Sequence, residues 1–362
     1  MNRSALHSIH QGLGAVFDTF SDWDLPRRYG EVEEEYCAVR SSVGLCDCSH
    51  WGKVLLTGRD RGKFLHNLTS NEVASLKEGE GSYNTILTPK GRMLASFWVH
   101  ALKDFLLIEL DLTRSKRFIE LLDKYTFFAD VKMEDVTSEW GVLLLAGPST
   151  PLLVHAVLGT IPPSLPPGHF FMEEVGGKNA IFINRPAVGG HEYAVYVRSE
   201  SVGSVWERLM EAGAPFGIKP VGQDALEILR IEAGIPRYGS DMDDSIIPVE
   251  AGLEERAISY TKGCYVGQEV IARIKTYGHV NKHLLGLRIH GDEVPGRGSK
   301  VFDLEGKEAG WTTSAVHSPE LGGVIALAYL RPQVSSPDTE VVVEVGGARL
   351  AARVSPLPFP RD

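Results

Sequence analysis

The sequence predicts an α+β fold that ends in a small antiparallel β-barrel. Short strand and helix patterns alternate through residues 1–281, without the long βαβ series of a parallel-sheet protein. From residue 282 onward, short β-rich segments are separated by glycine turns, which is typical of a small barrel. A chain of 362 residues also exceeds the usual size of one hydrophobic core. We therefore expect two regions, residues 1–281 and 282–362.

Hydrophobic periodicity locates the individual elements. The acidic run at residues 31–35 predicts the first turn of a helix, where the helix dipole favours negative charge. Further helices are predicted at 61–68, 115–125 and 201–212, and strands at 54–57, 81–87, 93–102, 105–110, 179–184, 191–197, 284–289, 310–314, 324–329 and 341–345. The prolines of segment 162–168 exclude a helix or a central strand, so we expect a surface connection there.

Residues 224–233 predict a buried helix that ends at Gly234, since glycine suits the left-handed conformation of a helix carboxyl cap. Arg230 lies on the apolar stripe of this helix, where a charge needs an anionic partner. A structural salt bridge with Asp224 or Glu227 is one interpretation. A ligand that carries negative charge is the other.

The charge balance argues against nucleic acid as a partner. The chain has 37 Lys and Arg against 47 Asp and Glu, a net charge of −10, whereas binding a phosphate backbone needs a concentrated basic surface. The densest apolar stretch, residues 142–146, is too short to span a membrane, and residues 1–11 lack the pattern of a secretory signal. We expect a soluble, cytoplasmic protein that binds neither nucleic acid nor a membrane.

The four cysteines, Cys37, Cys46, Cys48 and Cys264, are too few for a disulfide framework in a chain of this length. We therefore expect reduced thiols. Cys46 and Cys48 with nearby His50 suggest a metal site, but a second ligand pair at zinc spacing is missing from the sequence. A structural role is the better interpretation of this group, and we predict no metal site.

Cys264 is the strongest candidate for chemistry. Gly263 and Gly267 flank it, which favours a tight loop, and Lys262 stands two residues before it. A nearby cation favours the thiolate, which is the nucleophilic form of cysteine. These neighbours predict a reactive thiol, although a single cysteine beside a lysine is more often inert.

The segment around Cys264 resembles a known family motif. Residues 262–269 read K-G-C-Y-V-G-Q-E and are similar to the K-G-C-Y-x-G-Q-E signature of the YgfZ family and its mitochondrial relatives. Members of that family resemble the folate-binding T-protein of glycine cleavage and support the maturation or repair of iron–sulfur enzymes. The resemblance implies that Cys264 carries the function, that Lys262 activates it, and that iron–sulfur clients or assembly proteins are partners.

The wider chain also resembles T-proteins, in segments 46–53, 217–222, 229–239 and 248–253. This implies two interlocked α+β subdomains that enclose a cavity for tetrahydrofolate or a derivative, followed by the barrel. It also implies that Arg230 points toward the folate, where its planar fork of donors suits a carboxylate or a pterin carbonyl. Tyr83 and Asn84 would line the same cavity, by ring stacking and amide hydrogen bonds.

Two departures from the T-protein pattern bear on activity. T-proteins carry an acidic pair after a glycine turn, and Ala95 and Ser96 stand at those positions here. The absence of that carboxylate makes glycine-cleavage activity doubtful. A T-protein glutamate that binds the pterin aligns with His191, and Glu192 follows one residue later as the predicted folate contact.

Together these features predict a tetrahydrofolate-binding protein that assists iron–sulfur cluster assembly or repair through Cys264. The enzyme alternative is a folate-dependent aminomethyltransferase or another one-carbon transferase, in which a different acid replaces the missing carboxylate. Asp47, Asp241 and Glu250 are the candidates for that acid, and their spacing selects none of them. A third alternative is a noncatalytic folate-binding scaffold in which Cys264 only packs.

Overall fold

A computed structural model describes residues 1–110, 114–278 and 280–361, and it confirms the α+β prediction. The chain divides into two compact units. The first comprises residues 1–84 and 96–226, and the second comprises residues 85–95 with the described chain from residue 227 onward.

The first unit contains most of the helices and three sheets. Its elements, of which β6, β7 and α7 extend into the second unit, are β1 Asn2–Arg3, α1 His7–Gly12, β2 Val16–Phe20, β3 Trp23–Arg28, α2 Val32–Ser41, β4 Val43–Asp47, β5 Gly52–Thr57, α3 Arg61–Leu68, β6 Gly81–Leu87, β7 Met93–Ala101, β8 Leu106–Leu110, α4 Ser115–Asp123, β9 Lys132–Asp135, β10 Trp140–Ala146, α5 Thr150–Leu158, β11 Phe170–Val175, β12 Lys178–Ile183, β13 Glu192–Arg198, α6 Val202–Gly213, β14 Ile218–Pro220 and α7 Gln223–Glu232.

The largest sheet of this unit has the strand order β11-β12-β13-β10-β4-β14, and α5 and α6 contribute to the apolar core on one of its faces. Successive side chains of a strand point to opposite faces. Val195 and Val197 of β13 accordingly enter this core with Trp206 of α6, whereas Tyr196 faces the other way. That second face carries the polar residues of the candidate site.

A five-stranded sheet, β6-β7-β8-β5-β9, aligns three chemically distinct side chains across neighbouring strands. Glu109 of β8 pairs in register with Trp98 of β7 on one side and with Lys53 of β5 on the other. Cross-strand partners of this kind share a face and lie within contact distance. The register thus places a carboxylate, an indole and an amine side by side, and all three residues are buried.

The described residues of the second unit include the end of α7, the helices α8 and α9 and the predicted barrel. Its elements are α8 Glu254–Ala257, α9 Gln268–Tyr277, β15 His283–Ile289, β16 Lys300–Phe302, β17 Glu308–Ser318, β18 Gly323–Leu330, β19 Glu340–Val345 and β20 Ala348–Ser355. The six strands close in the order β15-β18-β17-β16-β19-β20, and every pair is antiparallel. Small and branched side chains, among them Ala326, Ala328 and Val343, fill its interior.

Most element predictions agree with the structure within two residues, but several elements were missed. The structure adds further elements to the predicted set, among them β1, β2, β3, β9, β11, β14, β16, β20, α1, α5, α8 and α9. The proline segment 162–168 forms neither helix nor strand and connects α5 to β11, as expected. Within the described residues, no helix combines the length and apolar character that a bilayer crossing requires.

Candidate functional site

A buried ionic cluster lies on the polar face of the first unit. Arg185 donates from Nε to Glu109 Oε1 at 2.5 Å and from Nη1 to the Pro186 carbonyl at 2.9 Å. Tyr196 donates its hydroxyl to the other oxygen of Glu109. Burial raises the pKa of Tyr196 well above its usual value, so the phenol stays a donor. This cluster was not predicted from the sequence, although Glu109 in the apolar strand β8 was a signal for it.

Aromatic rings surround the Arg185 guanidinium. Its central carbon lies 4.8 Å from the centroid of the Trp51 ring and 5.7 Å from that of Trp98, which is cation–π distance. Tyr83 packs edge-on against Trp98 at 5.1 Å. The predicted ligand Tyr83 therefore belongs to an aromatic group that encloses a cation.

Asn84, the other predicted residue of β6, has a different surrounding. Its Oδ1 accepts from the Asn71 backbone N–H at 3.0 Å, and its Nδ2 donates to Ser82 Oγ at 2.8 Å. The amide is fully buried and helps to fix its own loop. A contact of Asn84 with folate stays a prediction.

Glu192 combines burial with an unsatisfied acceptor. Its Oε2 accepts from the backbone N–H groups of Ala187 at 2.6 Å and Val188 at 3.0 Å. Its Oε1 is also buried and has no hydrogen-bond partner among the residues that the structure describes. Burial raises the pKa of this carboxyl to about 7, against the opposing effect of those N–H groups and of Arg185. A buried carboxyl with a free oxygen is a ready acceptor for a ligand N–H group.

Ser96 is one of the two residues that the resemblance places where an acid was expected. It is 2% exposed, and its hydroxyl has no hydrogen-bond partner within the described part of the chain. Ser96 Oγ and Glu192 Oε1 are thus two buried polar atoms of the first unit that its described residues leave unpaired. Orphaned buried groups of this kind cost stability unless a water or ligand satisfies them.

Arg230, in the second unit, is the centre of an ion-pair network. It donates from Nε to Glu227 Oε2 at 2.7 Å and from Nη1 to Asp241 Oδ2 at 2.7 Å. Further donations go to the second oxygen of Glu227, the Ile235 carbonyl and Ser314 Oγ, so all five N–H groups have partners. Of the two salt-bridge partners that the sequence left open for Arg230, the structure shows Glu227, whereas Asp224 pairs with Arg27.

The positive charges of this network hold Glu227 ionised. Burial by itself would raise the pKa of Glu227, but Arg230 and Arg237 lower it to about 2. Asp241 also accepts from Thr313 Oγ1 at 2.6 Å and Ser314 Oγ at 2.7 Å, which ties the network to β17. The donors of Arg230 are thus already bonded within the protein. A contact of Arg230 with folate stays a prediction.

The other sequence candidates for the missing acid are likewise paired. Asp47 accepts from Ser49 and lies 3.0 Å from His10 Nε2. Burial would raise the pKa of Asp47, yet His10 and hydroxyl donors lower it to about 2. Glu250 accepts from the Ile247 N–H at 3.0 Å and pairs with Lys282 at 3.2 Å.

Cys264 is exposed on the loop that leads into α9. Lys262 of the same loop is 8% exposed, and its Nζ lies 5.3 Å from the centroid of the Tyr265 ring. The two predicted residues therefore share a loop, while the amine of Lys262 packs over an aromatic face. Activation of Cys264 by Lys262 stays a prediction.

Only one of the two motif glycines is required by the backbone. Gly267 has φ +86°, and a Cβ there would lie 2.6 Å from the Thr88 carbonyl oxygen, so glycine permits the start of α9 to pack on the β6–β7 turn. Gly263 has open space where a Cβ would stand and no left-handed φ. The backbone at position 263 therefore does not depend on the conformational freedom of glycine.

The remaining cysteines differ in exposure. Cys46 and Cys48 are buried, and Gln223 Nε2 lies 3.5 Å from Cys46 Sγ. The described residues contain no group of three or more His, Cys, Asp or Glu side chains that could hold a metal. Cys37 is exposed on α2.

We predict that alkylation of the folded protein labels Cys264 and Cys37 and spares Cys46 and Cys48, because reagents reach only exposed thiols. Lys262→Met should slow labelling of Cys264 several-fold and leave Cys37 unchanged. Peptide mass spectrometry after a timed iodoacetamide pulse measures all four rates. A Cys264 rate that is insensitive to Lys262 would show that the lysine does not activate this thiol.

Comparisons with known proteins agree along the whole chain. Residues 6–262 match the GCVT N-terminal domain, and residues 282–360 match the glycine cleavage T-protein C-terminal barrel domain. An aminomethyltransferase of Geobacillus kaustophilus is 32% identical over 100% of this chain and 99% of its own length. One of Koribacter versatilis is 32% identical over 99% of this chain and 96% of its own.

A solved structure shares the fold. The glycine cleavage system aminomethyltransferase T from Bartonella henselae has a TM-score of 0.88 and 23% identity, with 99% of this chain and 98% of that chain covered. The family matches include both the amino-terminal region and the closed barrel. The chain therefore belongs to the glycine cleavage T-protein family.

Proposed function

We propose that this protein binds tetrahydrofolate and acts as a folate-dependent one-carbon transferase of the aminomethyltransferase type. Its similarity to proteins named aminomethyltransferase over nearly their full length supports this assignment. The observation that carries it is the buried, unpaired Oε1 of Glu192. The relatives named aminomethyltransferase support one-carbon transfer better than the assistance to iron–sulfur cluster assembly or repair that the sequence first suggested.

The residues of the first unit fit a reduced pterin. A pterin ring presents N–H donors on its edge, and Glu192 Oε1 is a buried acceptor without a partner among the described residues. Ser96 Oγ can donate or accept at a second buried position. When bound, tetrahydrofolate supplies the nitrogen atoms that accept a one-carbon unit.

The protonation state of Glu192 gives it a second use. With a pKa of about 7, this carboxyl exchanges its proton near neutral pH, whereas the paired Asp47 and Glu227 stay ionised. A proton donor or acceptor works best when its pKa is close to the working pH. Glu192 can therefore hold a bound pterin and hold or release a proton at Oε1.

We predict that Glu192→Gln weakens tetrahydrofolate binding at least about tenfold, because hydrogen bonds to charged groups contribute roughly 1.5–3 kcal/mol. The exchange keeps the shape of the side chain but removes its charge. Isothermal titration of the full chain measures the effect. Glu173→Gln, on the exposed side of β11, is the matched control and should bind as the wild type does. A wild-type protein that does not bind tetrahydrofolate would overturn the proposed function.

We also predict that glycine-cleavage activity is low. Ala95 and Ser96 cannot hold a charge or take up a proton as a carboxylate does, and loss of such a group costs roughly 10²–10⁴ in rate. The assay supplies an aminomethyl-lipoyl carrier and tetrahydrofolate, with the Bartonella henselae protein measured in parallel. Formation of methylene-tetrahydrofolate at a comparable rate would show that another acid acts in this chain.

A second candidate function rests on the exposure of Cys264 within the K-G-C-Y-V-G-Q-E segment. In this proposal the protein is of the YgfZ type, and Cys264 supports iron–sulfur cluster assembly or repair while folate binds elsewhere in the chain. Cys264→Ala separates the candidates. The variant should bind folate under either candidate function. If the second candidate is right, cells that contain the variant in place of the wild type should lose activity of their iron–sulfur enzymes, and under the first candidate they should not.

A further inference from the structure

Three aromatic side chains are exposed in a short segment after α4. Tyr125 is 52% exposed, Phe127 86% and Phe128 95%. The rings of Phe127 and Phe128 lie 4.8 Å apart in an edge-to-face arrangement. Single exposed apolar residues are ordinary, but a contiguous aromatic group at a protein surface is typical of an interaction site.

A cavity of about 400 Å³ opens beside this segment. Its apolar wall is formed by Phe64 and Leu68 of α3 together with Tyr125 and Phe128, and Asp60 and Lys63 stand at the same cavity. A cavity of roughly 150 Å³ is enough to hold benzene, so this one accommodates an aromatic side chain. Phe127 does not line the cavity, but its ring contacts that of Phe128, which does.

We propose that this surface binds a second copy of the chain, with Phe127 of each copy inserted into the α3 cavity of the other. A two-fold interface joins the same surface on both subunits, so that surface must contain both a protruding group and a matching recess. Phe127 and the adjoining cavity meet this condition on one unit of one chain. An unrelated partner would require only one of the two.

The charges of the surface favour the same occupant. Asp60 and Lys63, one turn apart at the start of α3, have opposite signs. A two-fold axis can therefore oppose Asp60 of one copy to Lys63 of the other, twice. Nearby, Arg59 pairs with Asp130 at 3.3 Å. The chain as a whole has a net charge of −10, which opposes self-association elsewhere, whereas this surface carries balanced charges.

Sedimentation velocity of the full chain, from about 1 to 200 μM, tests the proposal, since a small interface gives micromolar association. Phe127→Ser should weaken self-association at least about tenfold, as expected when a central aromatic anchor is removed. Ile161→Ser, which removes an 83% exposed apolar side chain from another surface, is the matched control and should not change association. Both variants should keep the wild-type melting temperature, because both side chains are more than 80% exposed.

Lys63→Glu tests the two-fold arrangement separately. The substitution places a carboxylate opposite Asp60 of the second copy, and like charges across an interface should weaken association about tenfold or more. A wild-type chain that stays monomeric across the concentration range would overturn the proposal, as would Phe127→Ser that associates like the wild type. An unchanged affinity of Lys63→Glu would show that the two copies do not meet in the proposed orientation.

Discussion

Replacement of Arg230 by methionine is expected to lower the free energy of unfolding by about 3–5 kcal/mol, the usual cost of removing one partner from a buried ion pair. Arg230 and Asp241 have side chains that are 2% and 0% exposed, and Glu227 also loses its closest cation. Methionine keeps much of the volume but none of the five donors. Asp241 would then lose its buried cation, and its remaining donors among the described residues would be hydroxyl groups and a backbone N–H.

The matched control for Arg230 is Arg208→Met on α6. Arg208 also pairs with a glutamate three residues away, Glu211, but its side chain is 43% exposed and that of Glu211 is 75% exposed. Solvent-exposed pairs contribute about 0–1 kcal/mol. Urea unfolding of both variants measures the contrast. If both variants lose the same free energy of unfolding, the buried Arg230 network contributes no more to stability than an exposed ion pair.

The second large effect concerns Lys53, whose stability contribution should depend strongly on pH. Its side chain is buried, with Nζ donating to the Ser49 and Trp140 carbonyls at 2.8 Å each. Burial lowers the pKa of the amine from 10.5 to about 7, although Asp47, Glu109 and Asp135 oppose the shift. Above pH 7 the folded protein therefore loses a proton that the unfolded chain retains until about pH 10.5.

The unfolding free energy should consequently rise with pH over this window, since the unfolded state binds more protons. Between about pH 7 and pH 9.5 the rise amounts to about 3 kcal/mol, at about 1.36 kcal/mol for each pKa unit. Lys53→Met should remove it. Loss of the donor to the Ser49 and Trp140 carbonyls lowers the unfolding free energy by the same amount at every pH. The difference between the two slopes of unfolding free energy against pH therefore reports the titration of Lys53. Lys132→Met, at a side chain that is 75% exposed, should keep the wild-type slope, and a flat wild-type profile would contradict the prediction.

Periodicity predicted the regular elements well because their environments are regular. The strand at 81–87 agrees residue for residue with β6, and Gly234 adopts φ +65° at the end of α7, as a helix cap requires. Three of the missed elements lack the usual signals. β3 contains Pro26, β16 has three residues, and α9 begins after Gly267, which provides no side-chain cap.

The candidate site was harder to predict because long-range packing assembles it. Glu109 and Arg185 are 76 residues apart, and only the sheet register brings the carboxylate to Trp98. Arg230 shows the opposite case. Sequence reasoning identified its unusual position and left its partner open, and the structure gives it Glu227 and Asp241. A motif indicates which residues matter, whereas their bonding depends on neighbours that are distant in sequence.

A crystal structure of the protein with tetrahydrofolate tests the proposed function most directly. We expect the pterin ring to donate to Oε1 of Glu192 and to satisfy Ser96 Oγ, both of which are buried and left unpaired by the described chain. Tyr83 should lie close to the ligand. The assignment would be contradicted if crystals grown at a saturating concentration of tetrahydrofolate contain no bound folate. It would also be contradicted if folate binds but forms no hydrogen bond with Glu192 Oε1.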